Sequence, residues 1–133
     1  MQKIVRWGIL GLGNIAQKFA DDLKLVPDCK LEAVASSNSA RARNFANTYK
    51  VNCFYDNYDD LFKDPKVDII YIASLNNNHY KHSIQAIKNN KAVLCEKPLA
   101  INKSQVEDLV QLSNFKRVFL MEALWTRFNP VFD

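Results

Sequence analysis

All three glycines of the chain, Gly8, Gly11 and Gly13, fall in one stretch, Gly8-Ile9-Leu10-Gly11-Leu12-Gly13-Asn14-Ile15-Ala16. Glycine serves turns at positive φ and close approach of backbone to a ligand, so this stretch has a backbone requirement that the rest of the chain lacks. The spacing Gly11-x-Gly13-x-x-Ala16 suits the binding of a dinucleotide. Gly11 permits a tight turn, Gly13 lets the backbone approach a pyrophosphate, and Ala16 stands where helix and strand pack closely. Asn14 and Ile15 then open a helix whose first amides face the diphosphate. A plain strand–turn–helix corner is the bland alternative, and the flanks weigh against it. Residues 3–10 read as a buried strand, and Ile15, Phe19 and Leu23 share one helical face.

A second group of chemistry-bearing residues follows the second predicted strand, residues 30–35. Ser36, Ser37 and Asn38 stand at its carboxyl end, with Arg41 and Arg43 close behind. An NAD ribose is usually gripped there by a carboxylate about 20 residues past the glycines. Glu32 has nearly that spacing but lies at the start of its strand, a strand length from the ribose, and reads as solvated or helix-facing. Hydroxyls, an amide and a guanidinium without a carboxylate suit a ribose 2′-phosphate. NADP is therefore the expected cofactor, with NAD as the second choice.

These groups need a scaffold that brings them to one edge. Pro27 ends the first helical region. The polar turn at 36–39 leads into a helix over 40–49, with Asn38 or Ser39 as its cap. Residues 51–54 read as a short strand. Asn57 caps a short helix carrying Tyr58, Leu61 and Phe62, and Pro65 closes it. Residues 67–73 are the clearest central strand, nearly continuous and β-branched, as a parallel strand covered on both faces is. A loop over 74–78, a helix over 79–88, a strand over 92–96, a helix from Asn102 or Ser104 to about Leu112, and a strand over 118–123 complete the series. Six strands alternating with helices predict α/β architecture: a doubly wound parallel sheet (Rossmann) in the order 3-2-1-4-5-6, with helices on both faces. The ligand crevice then lies at the carboxyl ends of strands one and four. That topology gathers residues 11–15, 36–38, 74–78, 96–98 and the segment after Ala123.

Composition bounds the function. At 133 residues, with 48% apolar and 24% charged residues, the chain reads as one ordinary globular domain. Its net charge of +4 comes from scattered residues, with no basic run of the kind that binds nucleic acid. No stretch is long and apolar enough to span a membrane, and the N-terminus enters a strand too soon to leave room for a signal peptide. Cys29, Cys53 and Cys95 are odd in number and show no metal-ligand spacing, so reduced thiols, a cytoplasmic location and no metal site are expected.

Further along, Glu96-Lys97-Pro98-Leu99-Ala100 follows the fifth strand, and Met121-Glu122-Ala123-Leu124-Trp125-Thr126-Arg127-Phe128-Asn129-Pro130 closes the chain. With the glycine stretch, these segments resemble the N-terminal domain of the glucose–fructose oxidoreductase/inositol dehydrogenase (Gfo/Idh/MocA) family over essentially the whole chain. The last segment is most similar to the branch holding NADP-dependent dihydrodiol dehydrogenases and D-xylose dehydrogenases. The resemblance implies that Lys97 sits beside the nicotinamide and the reacting carbon and is the catalytic residue. An ammonium there can hydrogen-bond the reacting oxygen, steady the charge that develops as hydride moves, and take part in proton transfer. It also implies that Glu96 is structural or cofactor-contacting, with Pro98 beside it, and that Trp125 and Arg127 lie over the cofactor. Simple core packing is the other reading of Trp125.

The loop after strand four departs from the family pattern. Ser74-Leu75-Asn76-Asn77-Asn78-His79 keeps an Asn and a His of the common form but has Leu75 where that form has proline. The loop is expected to be less rigid, with Ser74, Leu75, Asn76 and His79 still at the cofactor. His79 falls at a helix start, where capping or packing is more ordinary than catalysis. His82 reads as surface, and Cys95 as buried and inert.

Family members carry a second, larger α/β domain that supplies most of the substrate pocket and the oligomer interface. The resemblance thus divides this chain into a dinucleotide-binding domain over 1–123 and the start of a linker over 124–133. The expectation is the nucleotide half of an NADP-dependent oxidoreductase acting on a secondary alcohol or carbonyl of a sugar, polyol or cyclic diol. A stand-alone dinucleotide-binding or sensing module is the alternative from another class. A small-molecule substrate and a homo-oligomer are the expected partners, with no nucleic acid and no membrane. Exposure of Trp125, Phe128 and Phe132 is expected to favour self-association.

Overall fold

The computed structural model describes residues 3–132; the side chains of Trp125 and Phe132 lie outside what is described. Six strands alternate with five helices: β1 (Val5–Leu10), α1 (Asn14–Leu23), β2 (Cys29–Ala35), α2 (Ser39–Tyr49), β3 (Cys53–Tyr55), α3 (Tyr58–Phe62), β4 (Ile69–Ile72), α4 (His79–Lys88), β5 (Ala92–Glu96), α5 (Lys103–Lys116) and β6 (Leu120–Ala123). Short 3₁₀ turns cover Asn76–Asn78, Trp125–Phe128 and Pro130–Phe132. The strands form one sheet in the order β3-β2-β1-β4-β5-β6, and every pairing is parallel. This is the doubly wound order that the alternation of elements predicts.

Strand pleating sends alternate side chains to opposite faces. Leu10, Ile70, Ile72, Val93 and Cys95 pack with Leu61, Phe62, Ala86, Ile87 and Leu109 of α3, α4 and α5. Ile9, Val34 and Tyr71 pack with Ala16, Ala20, Ala42, Phe45 and Ala46 of α1 and α2. All four residues of β4 are buried, as a central strand covered on both faces must be. The second face carries one helix fewer. Beside α1 it leaves an apolar groove of about 530 Å³, lined by Phe19, Leu94, Met121, Leu124 and Phe128 among others.

Three asparagines start helices. The side chains of Asn38, Asn57 and Asn102 accept from the amides of Arg41, Asp60 and Gln105, each at 2.9 Å. Each such cap is worth about 1 kcal/mol. Asn38 and Asn102 therefore hold the capping roles for which Ser39 and Ser104 were the other candidates. Several element ends differ from the sequence reading by one to four residues: β1, β3, β4 and β6 each begin two residues later, and two of the differences are set by left-handed residues. Lys50 takes a left-handed conformation (φ 57°), and the Val51 amide returns to the Ala46 carbonyl, so Val51 closes α2 and β3 begins at Cys53. The helix α5 runs one turn past Leu112, because no glycine or proline interrupts it before Arg117 (φ 55°) ends it.

The amino ends of the strands are strapped together. Arg6 makes a fork to Asp68, Nε to Oδ2 at 3.1 Å and Nη2 to Oδ1 at 3.0 Å. Buried Lys91 donates to the carbonyls of Asp64 (2.5 Å) and Val67 (2.9 Å). Of the two readings of Glu32, the solvated one is corrected: its side chain is 14% exposed and pairs with Lys30 at 3.1 Å.

Candidate cofactor-binding site

The carboxyl ends of the strands carry the site. Gly11 leaves β1 with φ 89° and donates its amide to the Ala35 carbonyl at 3.1 Å. A Cβ there would lie 2.8 Å from the carbonyl atoms of Ala73 and from the Ser74 amide nitrogen. Gly11 is thus fixed twice, by left-handed backbone and by contact with the end of β4. Gly13 differs: a Cβ would meet nothing within 4 Å. Gly13 is the N-cap of α1 and no side chain caps that helix. The first helical bond is donated by the Gln17 amide to the Gly13 carbonyl (3.2 Å), so the amides of Asn14, Ile15 and Ala16 have no acceptor among the described residues, at a helix start where Gly13, Asn14 and Ile15 are exposed. Open space above Gly13 beside unpartnered amides fits a diphosphate.

The β2 loop is built from its own polar groups. The buried Ser36 hydroxyl accepts from the Asn38 amide at 3.1 Å, and the Ser36 amide donates to the Tyr55 carbonyl. Asn38 spends its side-chain oxygen on the α2 cap. Ser37 and Arg41 are exposed. A recess of about 550 Å³ lies between the glycine turn and α2, with Leu12, Gln17, Asn38, Arg41 and Tyr49 in its wall. The Arg43 guanidinium sits 5.9 Å above the Phe54 ring, so the two arginines diverge.

Beyond β4, Ser74 is held by two histidines of α4. His79 Nε2 lies 2.8 Å from the Ser74 carbonyl oxygen, and His82 Nδ1 lies 2.8 Å from the Ser74 hydroxyl. His79 Nδ1 lies 2.7 Å from the Pro98 carbonyl oxygen. His79 is only 1% exposed, so a ring expected at the cofactor is enclosed, with both nitrogens against protein carbonyls. His82 also departs from expectation. It is buried against Tyr58, not on the surface, because one helical turn places it on the face of His79. Burial, with help from Lys81 and His79, pushes its pKa down to about 4. Leu75 and Asn76 are exposed at the loop tip.

After β5 the chain is pinned residue by residue. Glu96 Oε1 accepts from the Tyr71 hydroxyl, Pro98 meets His79, and the Leu99 amide donates to Glu122 Oε2 at 2.7 Å. Lys97, joined to Pro98 by a cis peptide, lies between these anchors with an exposed side chain. Burial and the Glu96 carboxylate raise the Tyr71 phenol, and burial pushes the Cys95 thiol up to about 12, which leaves Cys95 inert. Arg127 is exposed on the last segment, and the Trp125 side chain lies outside the described residues. Tyr71, His82 and Glu122 were missed as contributors. A hydroxyl in an otherwise apolar strand and a carboxylate in a short edge strand each demand a partner, and that signal was present in the sequence. Among the described residues, no group of three or more His, Cys, Asp or Glu could hold a metal ion, and no helix is long and apolar enough to cross a membrane.

The glycine turn, the switch-point crevice and the anchored lysine define a Rossmann domain of the kind that binds nicotinamide dinucleotides in oxidoreductases. The chain belongs to the Gfo/Idh/MocA oxidoreductase family, whose profile, described as an oxidoreductase family with an NAD-binding Rossmann fold, matches residues 5–124. It is 38% identical over 130 residues to a trans-1,2-dihydrobenzene-1,2-diol dehydrogenase from Xenopus tropicalis, covering 96% of this chain and 39% of the relative. Among solved structures, a probable dehydrogenase from Thermotoga maritima matches with a TM-score of 0.89 at 31% identity, covering 93% of this chain and 37% of that one. A 3-ketoreductase from Actinomadura kijaniata, in complex with TDP-benzene and NADP, matches with a TM-score of 0.92 at 26% identity, covering 96% and 41%. The chain thus spans about two-fifths of the length of the curated relatives it matches.

Proposed function

We propose that this chain is the nucleotide-binding part, residues 1–123 with a linker from 124, of an NADP-dependent dehydrogenase. Its substrate would be a small cyclic diol, polyol or sugar. The observation that carries the reading is the position of Lys97: an exposed ammonium on a backbone anchored at Glu96, Pro98 and Leu99, at the carboxyl end of β5 and one strand from the Ser74 loop. The bound dinucleotide would supply the hydride acceptor or donor. Gly13, Asn14 and Ile15 bind its diphosphate through backbone amides, and Ser37 and Arg41 hold the ribose 2′-phosphate. Ser74, Leu75 and Asn76 border the nicotinamide half, with Arg127 and Trp125 contributed by the last segment. Lys97 hydrogen-bonds the reacting oxygen and stabilises the charge that develops on it. The dihydrodiol dehydrogenases favour a diol substrate, and the NADP complex of the ketoreductase favours the phosphorylated cofactor. A homo-oligomer in the cytoplasm completes the reading, supported by three free cysteines and by Phe128 at 66% exposure.

Paired calorimetric titration with NADPH and NADH tests the cofactor. The expected result is NADPH binding at least about tenfold tighter, or about 1.4 kcal/mol. A preference for NADH would remove the role given to Ser37 and Arg41 and leave the fold intact.

A further inference from the structure

The ladder between β4 and β5 pairs Ile72 with Cys95 and goes no further. Past that point the Ser74 loop and the Lys97 loop diverge, and a side chain must join them if they are to move as one. Among the hydrogen bonds of the described residues, those of His79 alone do so, with the Ser74 carbonyl on one nitrogen and the Pro98 carbonyl on the other. Carbonyl oxygens only accept, so each bond is donated by a ring N–H, and the ring makes both when it carries both protons. Its enclosure removes it from ligand contact, while its bond to the Pro98 carbonyl holds the residue next to Lys97.

We propose that His79 is a positioning residue that locks the Ser74 and Lys97 loops into one unit and so sets the nicotinamide half of the site without touching the ligand. This rests on the dinucleotide reading above. A dinucleotide straddles the switch point of a doubly wound sheet, with the β2 loop serving the adenosine half and the β4 and β5 loops the nicotinamide half. Loops released from His79 must be ordered again on binding, which weakens only ligands long enough to reach them.

The variant His79→Phe keeps the volume of the ring and removes both donors. This chain is titrated with NADPH and with 2′,5′-ADP, which carries the adenosine half and its 2′-phosphate but no nicotinamide. The expected result is NADPH binding about tenfold weaker, with 2′,5′-ADP binding unchanged within about twofold. Equal weakening of both ligands, or of neither, overturns the proposal. If His79→Phe does not fold, His79→Gln, whose amide can donate to one carbonyl, is judged by the same comparison. The unsubstituted chain is titrated first. No binding of 2′,5′-ADP there would remove the dinucleotide assignment and the inference with it, whereas normal binding with a ligand-independent effect of the variant removes the inference alone.

Discussion

The Tyr71 hydroxyl donates to Glu96 Oε1 at 2.5 Å, joining the central strand to the end of β5 just before Lys97. Tyr71 is buried and stacked on Phe19, with ring centroids 3.9 Å apart, so its ring is held by packing and its hydroxyl is free to serve one partner. In Tyr71→Phe the ring stays and the Glu96 anchor goes. We expect a stability loss of about 1 kcal/mol, read from urea unfolding with an unchanged denaturant slope. A variant as stable as the parent would mean that the bond contributes nothing net.

On the proposed reading, Gly11 serves the fold and Gly13 serves binding. Gly11→Ala puts a Cβ 2.8 Å from the β4 backbone at a φ of 89°, and should cost about 2–4 kcal/mol of stability. Gly13→Ala meets nothing in the protein. It should unfold like the parent while binding NADPH at least about tenfold more weakly, because the new methyl would occupy the space we assign to the diphosphate. Thermal melts and titrations of the two variants should therefore show opposite patterns. Normal NADPH affinity in Gly13→Ala would place the diphosphate elsewhere.

Leu75 already has the backbone angles proline prefers, φ −62° and ψ 149°. It is 75% exposed, and among the described residues its amide has no backbone acceptor. Leu75→Pro should stabilise the chain by about 0.4–1 kcal/mol by restricting the unfolded state. A lower melting temperature in this variant would show that the amide or the Ser74 conformation resists the ring.

His82 makes stability depend on acid. The unfolded imidazole gains its proton near pH 6.5, whereas the folded one resists until about 4. Between those values the unfolded state holds the more protons, so stability falls as pH falls below about 6.5, and the loss is complete below about 4. His82→Gln should flatten this slope. Urea midpoints from pH 7 to 4.5 with the same slope in parent and variant would assign the acid sensitivity to other groups.

Lys97→Ala separates an enzyme from a sensing module. In the polypeptide that carries the whole activity, the variant should lose about 100-fold or more in kcat, with NADPH affinity within about threefold of the parent. A variant that turns over normally would remove Lys97 from the chemistry.

The parts of this fold that obey local rules were legible in the sequence. The strand order followed from alternation and handedness, and the turn at Gly11 from composition. What escaped was pairing at a distance. His79 and His82 sit one turn apart, and only the fold shows that both serve Ser74. The polar turn Ser36-Ser37-Asn38 offers three candidate ligands on paper. In the structure Ser36 and Asn38 spend oxygens on the loop and the α2 cap, which leaves Ser37 and Arg41 as the outward pair. Arg43 could not be told from Arg41 by type; its separation depends on the Phe54 ring that β3 presents.

The Arg6–Asp68 fork and the Lys91 strap hold the sheet at its amino ends, opposite the edge where the loops gather. Inheritance can therefore treat the two edges separately. Substitutions at Ser37 or Arg41, where we propose the nucleotide preference is set, or at the Leu75 tip, would leave those straps untouched, so a lineage could vary that edge on a frame whose integrity is secured elsewhere.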